Sequence, residues 1–588
     1  MSVWGSRARD AAPLFVGSIA VAVGVMLFGS GGGDDSHITW WAVDELARTG
    51  HILNLNGAAM EQSSSLALVL IGAFLHRVWP MPTPQLGVLL SLAAIVGTCW
   101  MTARLARRLD PRLGLLAALL VASSGPLVYW GTSGMETALA AFAGVWLLDA
   151  LAAAFELPAR AHVGERATVR LAARLFAASA LYASVRPENP LILLLTLAGA
   201  AALCFILVRR SSTGEVTLPV ALLAQLAVLA CAPVVLLFLF RHAAFHEWFP
   251  HPVAAKAGGG ARWGPGFSYF VRHSLDFQPA ILVLLPFSCI ASGVLFWLGR
   301  VKLLSAVLAL HAAAGALFVC SSGGDWMSCG RFLAPQLPVW WVVVLGCAAS
   351  LLKARLKWIC AGVAVLTALD VSSLVAMSHG GGSNGYPLRA ALKVVPRARE
   401  RYGLQRYSFL ELANKSHLRD ALLSEELERV VTQVQTLVPG KIWLASGQAG
   451  AVPYHVFGAF PGKLRFIDFW GLTSSEVRPC LPAARLKHSS LGIAMTPELL
   501  YQYKDRVLRD CGVPMADIVF NTSLRASTRR GLEQRGYRVV YFQRGAMPSF
   551  AESKARGGTA IDAYIAVREE LAERLQLHYR EVLWDIAG

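Results

Sequence analysis

Apolar runs of about 20 residues, long enough to cross a bilayer core as a helix, recur through the first two-thirds of this chain. They fall near 12–29, 84–103, 112–131, 134–154, 171–185, 190–208, 217–241, 278–298, 302–321, 335–352 and 357–378. A further run at 64–79, "SSLALVLIGAFLHRVW", is short and closed by "PMPTP", so it reads as a re-entrant or partly crossing segment. After residue 380 the pattern changes. "HGGGSNGYPL" is a glycine-rich linker, and no spanning run follows it. "KIWLASGQAGAVPYHV" and "KLRFIDFWGL" read as strand–turn units, while "SEELERVVTQVQTLV" and "GTAIDAYIAVREELAERLQLHY" read as helices. The pattern predicts a polytopic α-helical membrane domain over 1–379 with eleven spans. A soluble α/β domain over 380–588 follows, large enough to bury its own core.

Charge fixes the expected orientation. With the N-terminus inside, "RLARRLDPR", "ELPARAHVGERATVR", "RRSSTGE", "GRVK" and "KARLK" all face the cytoplasm, as basic loops do. The opposite loops are "GGGDDSHITWW", "WGTSGMET", "SVRPENP", "RHAAFHEWFPHPVAAKAGGGARWG" and "SSGGDWMSCGRF". Almost every unusual polar residue lies on that second side, which is the reason for preferring eleven spans. Arg7 and Arg9 ahead of the first run also suit a signal peptide. The acidic pair just after it and the many later spans favour an uncleaved first span.

Composition agrees. Of 588 residues, 15% are charged and 55% hydrophobic, with a mean hydropathy of +0.50; a soluble chain carries roughly 25% charged residues. The net charge of +17 raises the question of nucleic acid, but no block interleaves basic and aromatic residues. That reading is excluded. Eight of the ten cysteines lie in or beside spans, and no CxxC pair or zinc-like Cys/His spacing occurs. Cys480 and Cys511 are the two in the soluble domain. An oxidising compartment favours their pairing, which would stabilise by roughly 3–4 kcal/mol through loop closure.

The polar residues at the membrane edge carry the chemistry, since ionisable groups there are expensive and functional by default. Asp34 and Asp35 leave the first span side by side. Two such acids repel, which suits a general base or a pair of ligands for a divalent cation; a helix cap accounts for one acid only. Glu136 in "SGMETAL" is a candidate ligand or a helix-start acid favoured by the macrodipole. Arg186 and Glu188 in "SVRPENPL" either pair with each other or orient a phosphate. "HEWFPHPVAAKAGGG" supplies His246, Trp248, His251 and Lys256, and Lys256 also suits a snorkelling cation. Asp325 and Arg331 in "SSGGDWMSCGRFLAPQLP" lie at the mouth of a span, where Arg331 can fork to a phosphate. Bases for a hydroxyl beside cations for a phosphate, at a lipid boundary, suggest a lipid-phosphate substrate.

The run "DDSHITWWAVDELARTGHILNLNG…EQSSSLAL" resembles the first extracytoplasmic loop of GT-C membrane glycosyltransferases. Combined with "SGMET", "SVRPEN", "WFPHPVAAKAGGG", "GGDWMSCGRFLAPQLP" and "ASGQAGAVPYH…RFIDFWGLTS", it is most similar to mycobacterial AftB-type arabinofuranosyltransferases and their bacterial relatives. The resemblance implies a multi-pass protein of the bacterial plasma membrane, with its site and C-terminal domain outside the cytoplasm. It implies inverting transfer of a sugar, D-arabinofuranose, from a polyprenyl-phosphate donor to a hydroxyl on a glycan or protein acceptor. Asp34 would be the base and Asp35 its positioning acid. Glu136 and Glu188 would hold sugar or acceptor hydroxyls, Lys256, Arg331 and Arg186 the phosphate, and His251 and Trp248 would line the sugar pocket. A divalent cation is compatible with the paired carboxylates. The rival readings are a mannose or galactofuranose donor, or a lipid or sugar transporter. Transporters usually gather polar residues at the midplane within repeated halves, and no repeat is visible here.

Overall fold

The computed structural model describes residues 3–29, 35–156, 165–210, 220–256, 261–325, 327, 329–352, 356–380, 409–447, 449–468, 473, 515–522, 526–546 and 563–585. Asp34 lies outside these residues, as do Cys480 and Cys511 with their expected disulfide.

The chain is a helical membrane protein with a sheet-bearing C-terminal region. All eleven expected spans are helical, but they are not alike. Among the described residues eight helices are long and apolar enough to cross, and the segment near 112–131 is a broken pair, Gly114–Ala122 and Gly125–Gly131, bent by 68°. The other two depart from the expectation for identifiable reasons. Glu165–Val185 carries Arg166, Arg170 and Arg174 on one face. Leu337–Leu352 has only 16 residues. Its residues Leu337 to Cys347 are all buried, as befits a helix apolar on every side and wrapped by others. The run at 64–79 becomes the helix Leu66–Val78 of 13 residues, N-capped by the Ser65 hydroxyl, which accepts from Leu68 N–H. At 1.5 Å per residue it covers about 20 Å, short of a hydrocarbon core about 30 Å thick.

One end of the bundle is locked by charge. Asp149, fully buried near the end of Thr137–Phe155, takes ion pairs from Arg104 (3.0 Å), Arg108 (2.5 Å) and Arg174. Thirteen residues separate it from Glu136 at the start of that helix, or about 20 Å. The basic end and the end with the polar motifs are therefore opposite faces.

In the C-terminal region β1 (Ile442–Ser446), β2 (Leu464–Asp468), β3 (Ile518–Thr522), β4 (Tyr537–Ala546), β5 (Ala563–Arg568) and β6 (Arg580–Asp585) form one mixed sheet in the order β2-β1-β3-β5-β4-β6. β1 pairs in parallel with β2 and β3, β5 runs antiparallel to β3 and β4, and β6 is parallel to β4. The helix Phe409–Gln435 buries Leu423, Leu427, Val430, Val431 and Val434 against Ile442, Leu444, Phe466 and Phe520. Those positions recur at helical spacing.

The two regions are joined through the first loop. Leu55 enters the core of the sheet-bearing region, with Ile38 and Trp41 packed against it. Asn56 behaves as an added strand residue on β2: its amide donates to Phe466 O (2.9 Å) and accepts from Phe466 N–H (2.7 Å). Asn54 donates to Thr473 O (3.1 Å). Asp44 accepts from the hydroxyls of Thr83 and of Tyr454, the latter at 2.7 Å. The helix that begins beside Asp34 and Asp35 is thus held from both sides.

Candidate active site

Four separate stretches of chain converge at the polar end of the bundle. Glu136 precedes the helix Thr137–Phe155 without making a side-chain cap bond. Its carboxylate instead accepts from Arg186 Nη1 at 2.9 Å, and Arg186 Nε donates to Glu188 Oε1 at 2.5 Å. Both ends of this bridge are buried, with side-chain exposures of 4% for Arg186 and 3% for Glu136. Gly134, two residues before, has φ +69°, and an added Cβ would lie 2.8 Å from the Trp40 ring. Only glycine suits that position, and it brings the turn with Glu136 close to the helix Ser36–Thr49.

Arg331 donates through Nε to Asp325 Oδ2 at 2.6 Å. Phe332 lies between the two cations, its ring centroid 5.2 Å from the Arg186 guanidinium carbon and 5.7 Å from that of Arg331. Its backbone N–H donates to the Tyr269 hydroxyl at 3.3 Å. Asp35 is near enough for its charge to act on Arg331, and it makes no side-chain cap bond to the helix that it precedes. Burial opposes the charge on Arg331, yet Asp325, Glu136 and Asp35 outweigh it and raise its pKa. Burial likewise opposes charge on Arg186, and Glu188 and Glu136 raise it. Both guanidinium groups stay charged.

Of the residues expected to act together, the structure gathers Asp35, Glu136, Arg186, Glu188, Asp325 and Arg331. The alternative in which Arg186 pairs with Glu188 is what the geometry shows, extended to Glu136. A guanidinium has five N–H donors, so both arginines keep donors beyond these bonds. Glu136, Glu188 and Asp325 each engage a guanidinium, and among the described residues no group of three or more His, Cys, Asp or Glu is arranged for a metal ion.

The remaining candidates lie in the 246–256 loop. His251 donates its backbone N–H to Glu61 O (3.0 Å), and its Nδ1 lies 3.2 Å from Glu247 Oε1. Trp248 stacks on His242, with ring centroids 4.3 Å apart, and is half exposed. His246 adopts φ 56° where the chain leaves the helix Val220–Phe245. Lys256 ends the short helix His251–Lys256; its side chain lies outside the described residues.

Sequence reasoning missed three groups in this site. Phe332 sat beside Arg331 unassigned. Tyr269 and His273 are four apart on the amphipathic helix Trp263–Phe277; that spacing is the signal that could have found them. That helix packs closely on Leu303–Ser321: a Cβ on Gly266 would come 2.0 Å from Cys320 O. Among the unassigned acids, Glu61 accepts a bidentate bond from Arg241, at 2.7 and 2.9 Å.

His273 leads to a pH prediction. Its ring lies 4.3 Å from Tyr269, and its Nδ1 is buried without a hydrogen-bond partner. Burial, helped by Arg272 and opposed by Asp325, pushes its pKa down from 6.5 to about 4. The unfolded chain therefore binds a proton between these values that the folded chain does not. Stability is complete above pH 6.5 and falls as pH drops toward 4, by about 3 kcal/mol in all. Thermal melts across this window should slope in the parent and flatten in His273→Phe; equal slopes would place the titration elsewhere.

No protein-family model matches the chain, and no curated protein matches it. Among solved structures it is similar to ArnT from Cupriavidus metallidurans bound to undecaprenyl phosphate, at 12% identity and TM-score 0.43, covering 97% of this chain and 98% of that one. It is also similar to the archaeal oligosaccharyltransferase AglB from Archaeoglobus fulgidus in complex with an inhibitory peptide and a dolichol-phosphate. There the identity is 13% and the TM-score 0.49, over 87% of this chain and 69% of that one.

Proposed function

We propose that this chain is an inverting GT-C glycosyltransferase that moves a sugar, D-arabinofuranose, from a polyprenyl-phosphate donor to a hydroxyl of a cell-envelope glycan or protein. The observation that carries the reading is the buried pair of guanidinium groups, Arg186 and Arg331, at the membrane edge beside Asp35. Arginine cannot shed its charge, and burying two of them at a lipid boundary suits a site for an anionic headgroup. Transfer then runs in one displacement. Asp34 takes the acceptor hydroxyl proton, and the freed oxygen attacks the anomeric carbon from the face opposite the phosphate. The carbon–oxygen bond to the phosphate breaks, and its electron pair leaves with the polyprenyl phosphate. Arg186 and Arg331, with Lys256, stabilise the negative charge that develops on that oxygen. Glu136 and Glu188 hold Arg186 in place, as Asp325 holds Arg331, and offer their remaining oxygens to sugar hydroxyls. His251 and Trp248 border the sugar.

Arg331 is paired with Asp325, so Arg331→Ala alone would strand a buried acid. The double variant Arg331→Gln/Asp325→Asn removes both charges and should remain folded. Its affinity for polyprenyl phosphate should fall roughly 10- to 100-fold, the worth of hydrogen bonds to a charged group, and Lys256→Ala should weaken binding less. Parent-like binding of polyprenyl phosphate by both variants would make these cations packing groups only.

A further inference from the structure

A second polar group lies within the apolar bundle. Asp370 is on the helix Leu356–Gly380, 14 residues and so about 21 Å from its first residue. Among the described residues no Lys, Arg or His pairs with it. The other buried acids of the bundle contrast with it: Asp149 takes three arginines and Glu61 takes one. Gln278 Nε2 donates to Asp370 Oδ2 at 3.2 Å, and the Ser123 hydroxyl, which donates to Leu120 O at 3.3 Å, lies near enough to the same carboxyl to act on it.

On the segments that meet at Asp370, oxygen atoms are left over. Gln278 Oε1 and the hydroxyls of Ser124, Ser274 and Ser373 are buried without a hydrogen-bond partner in the protein. These four residues and Asp370 are each no more than 3% exposed. Buried hydroxyls without a partner also occur elsewhere in the bundle, at Thr102, Thr137 and Ser179, but Ser124, Ser274 and Ser373 lie beside Asp370 or its two partners in sequence. Ser373 is one turn after Asp370, Ser274 one turn before Gln278, and Ser124 adjoins Ser123. Ser123 and Ser124 form the break between Gly114–Ala122 and Gly125–Gly131. Broken helices offer backbone and side-chain oxygens to ions inside membrane proteins.

We infer that Asp370, with the Gln278 amide oxygen and the hydroxyls of Ser123, Ser124, Ser274 and Ser373, binds one monovalent cation of the sodium class. The donors are all oxygen, which selects a hard cation over a transition metal. One carboxylate balances one positive charge, whereas a divalent ion would leave a net charge in a medium where net charge is expensive. Buried water would satisfy the hydroxyls but would not neutralise the carboxylate, and a proton on Asp370 would neutralise the carboxylate but leave the other oxygens without a partner. The site is separate from the sugar-transfer reading, and its failure leaves that reading intact.

The test uses the full chain in detergent, melted in sodium chloride and in choline chloride at matched ionic strength. The parent midpoint should rise with sodium and saturate, and Asp370→Asn should abolish the rise. Ser373→Ala should raise the half-saturating sodium concentration roughly two- to tenfold, the worth of one ligand at hydrogen-bond strength. Identical parent midpoints in the two salts would overturn the site, as would a sodium response retained by Asp370→Asn. Should Asp370→Asn not fold, an unchanged half-saturation in Ser373→Ala would overturn it as well.

Discussion

Asp34→Asn should stop sugar transfer while leaving the protein folded. Asparagine keeps the shape and much of the hydrogen bonding of aspartate but cannot accept a proton at neutral pH. Loss of a general base commonly costs about 10²–10⁴-fold in rate, so turnover should collapse at near-normal affinity for a polyprenyl-phosphate donor. Asp35, the neighbour of Asp34, lies near enough for its charge to act on Arg331, which suits a positioning role. Asp35→Asn should therefore cost less. The measurement is transfer from a synthetic polyprenyl-phosphate sugar, with thermal melts as the folding control. Near-parent turnover in Asp34→Asn would reject the assignment, and a reversed order of the two variants would move the base to Asp35.

The spans were legible because a run of twenty apolar residues has few other uses, and the charged loops sorted them by side. The candidate site was legible for a related reason. Glu136, Arg186, Glu188, Asp325 and Arg331 all sit at helix ends on one face, so the bundle could hardly avoid bringing them together. Partners far apart in sequence were not legible. Asp149 lies inside an apolar run, and nothing local announces three arginines around it. Asp44 and Tyr454, 410 positions apart, meet only because the first loop docks on the sheet-bearing region. His251 read as a sugar-pocket residue, and the structure places it against the Glu61 carbonyl and the Glu247 carboxylate. Nothing local in the sequence links Arg241 to Glu61, 180 positions away. A pairing of that kind shows itself only in three dimensions.

That last pair carries the second large effect. Glu61 and Arg241 are 3% and 1% exposed and share two hydrogen bonds, tying the first loop to the helix Val220–Phe245. Breaking a buried pair by removing one partner costs about 3–5 kcal/mol because the other charge is left uncompensated. The two partners are not equivalent, however. A glutamate stripped of its arginine can take a proton and become neutral, whereas an arginine stripped of its glutamate stays charged. Glu61→Gln should therefore be the more damaging change, and its amide would also turn N–H donors toward the donors of Arg241. Arg241→Met leaves a site that protonation can repair. The double variant Glu61→Gln/Arg241→Met holds no stranded charge, so it should melt above Glu61→Gln alone. Thermal melts of the three variants in detergent test the order directly. If Arg241→Met melts lower than Glu61→Gln, or if the double variant merely adds the two losses, the pair does not act as a buried charge lock. In that case the loop is held instead by Asn54, Asn56 and Asp44, whose contacts with the sheet-bearing region and with Thr83 do not depend on Arg241.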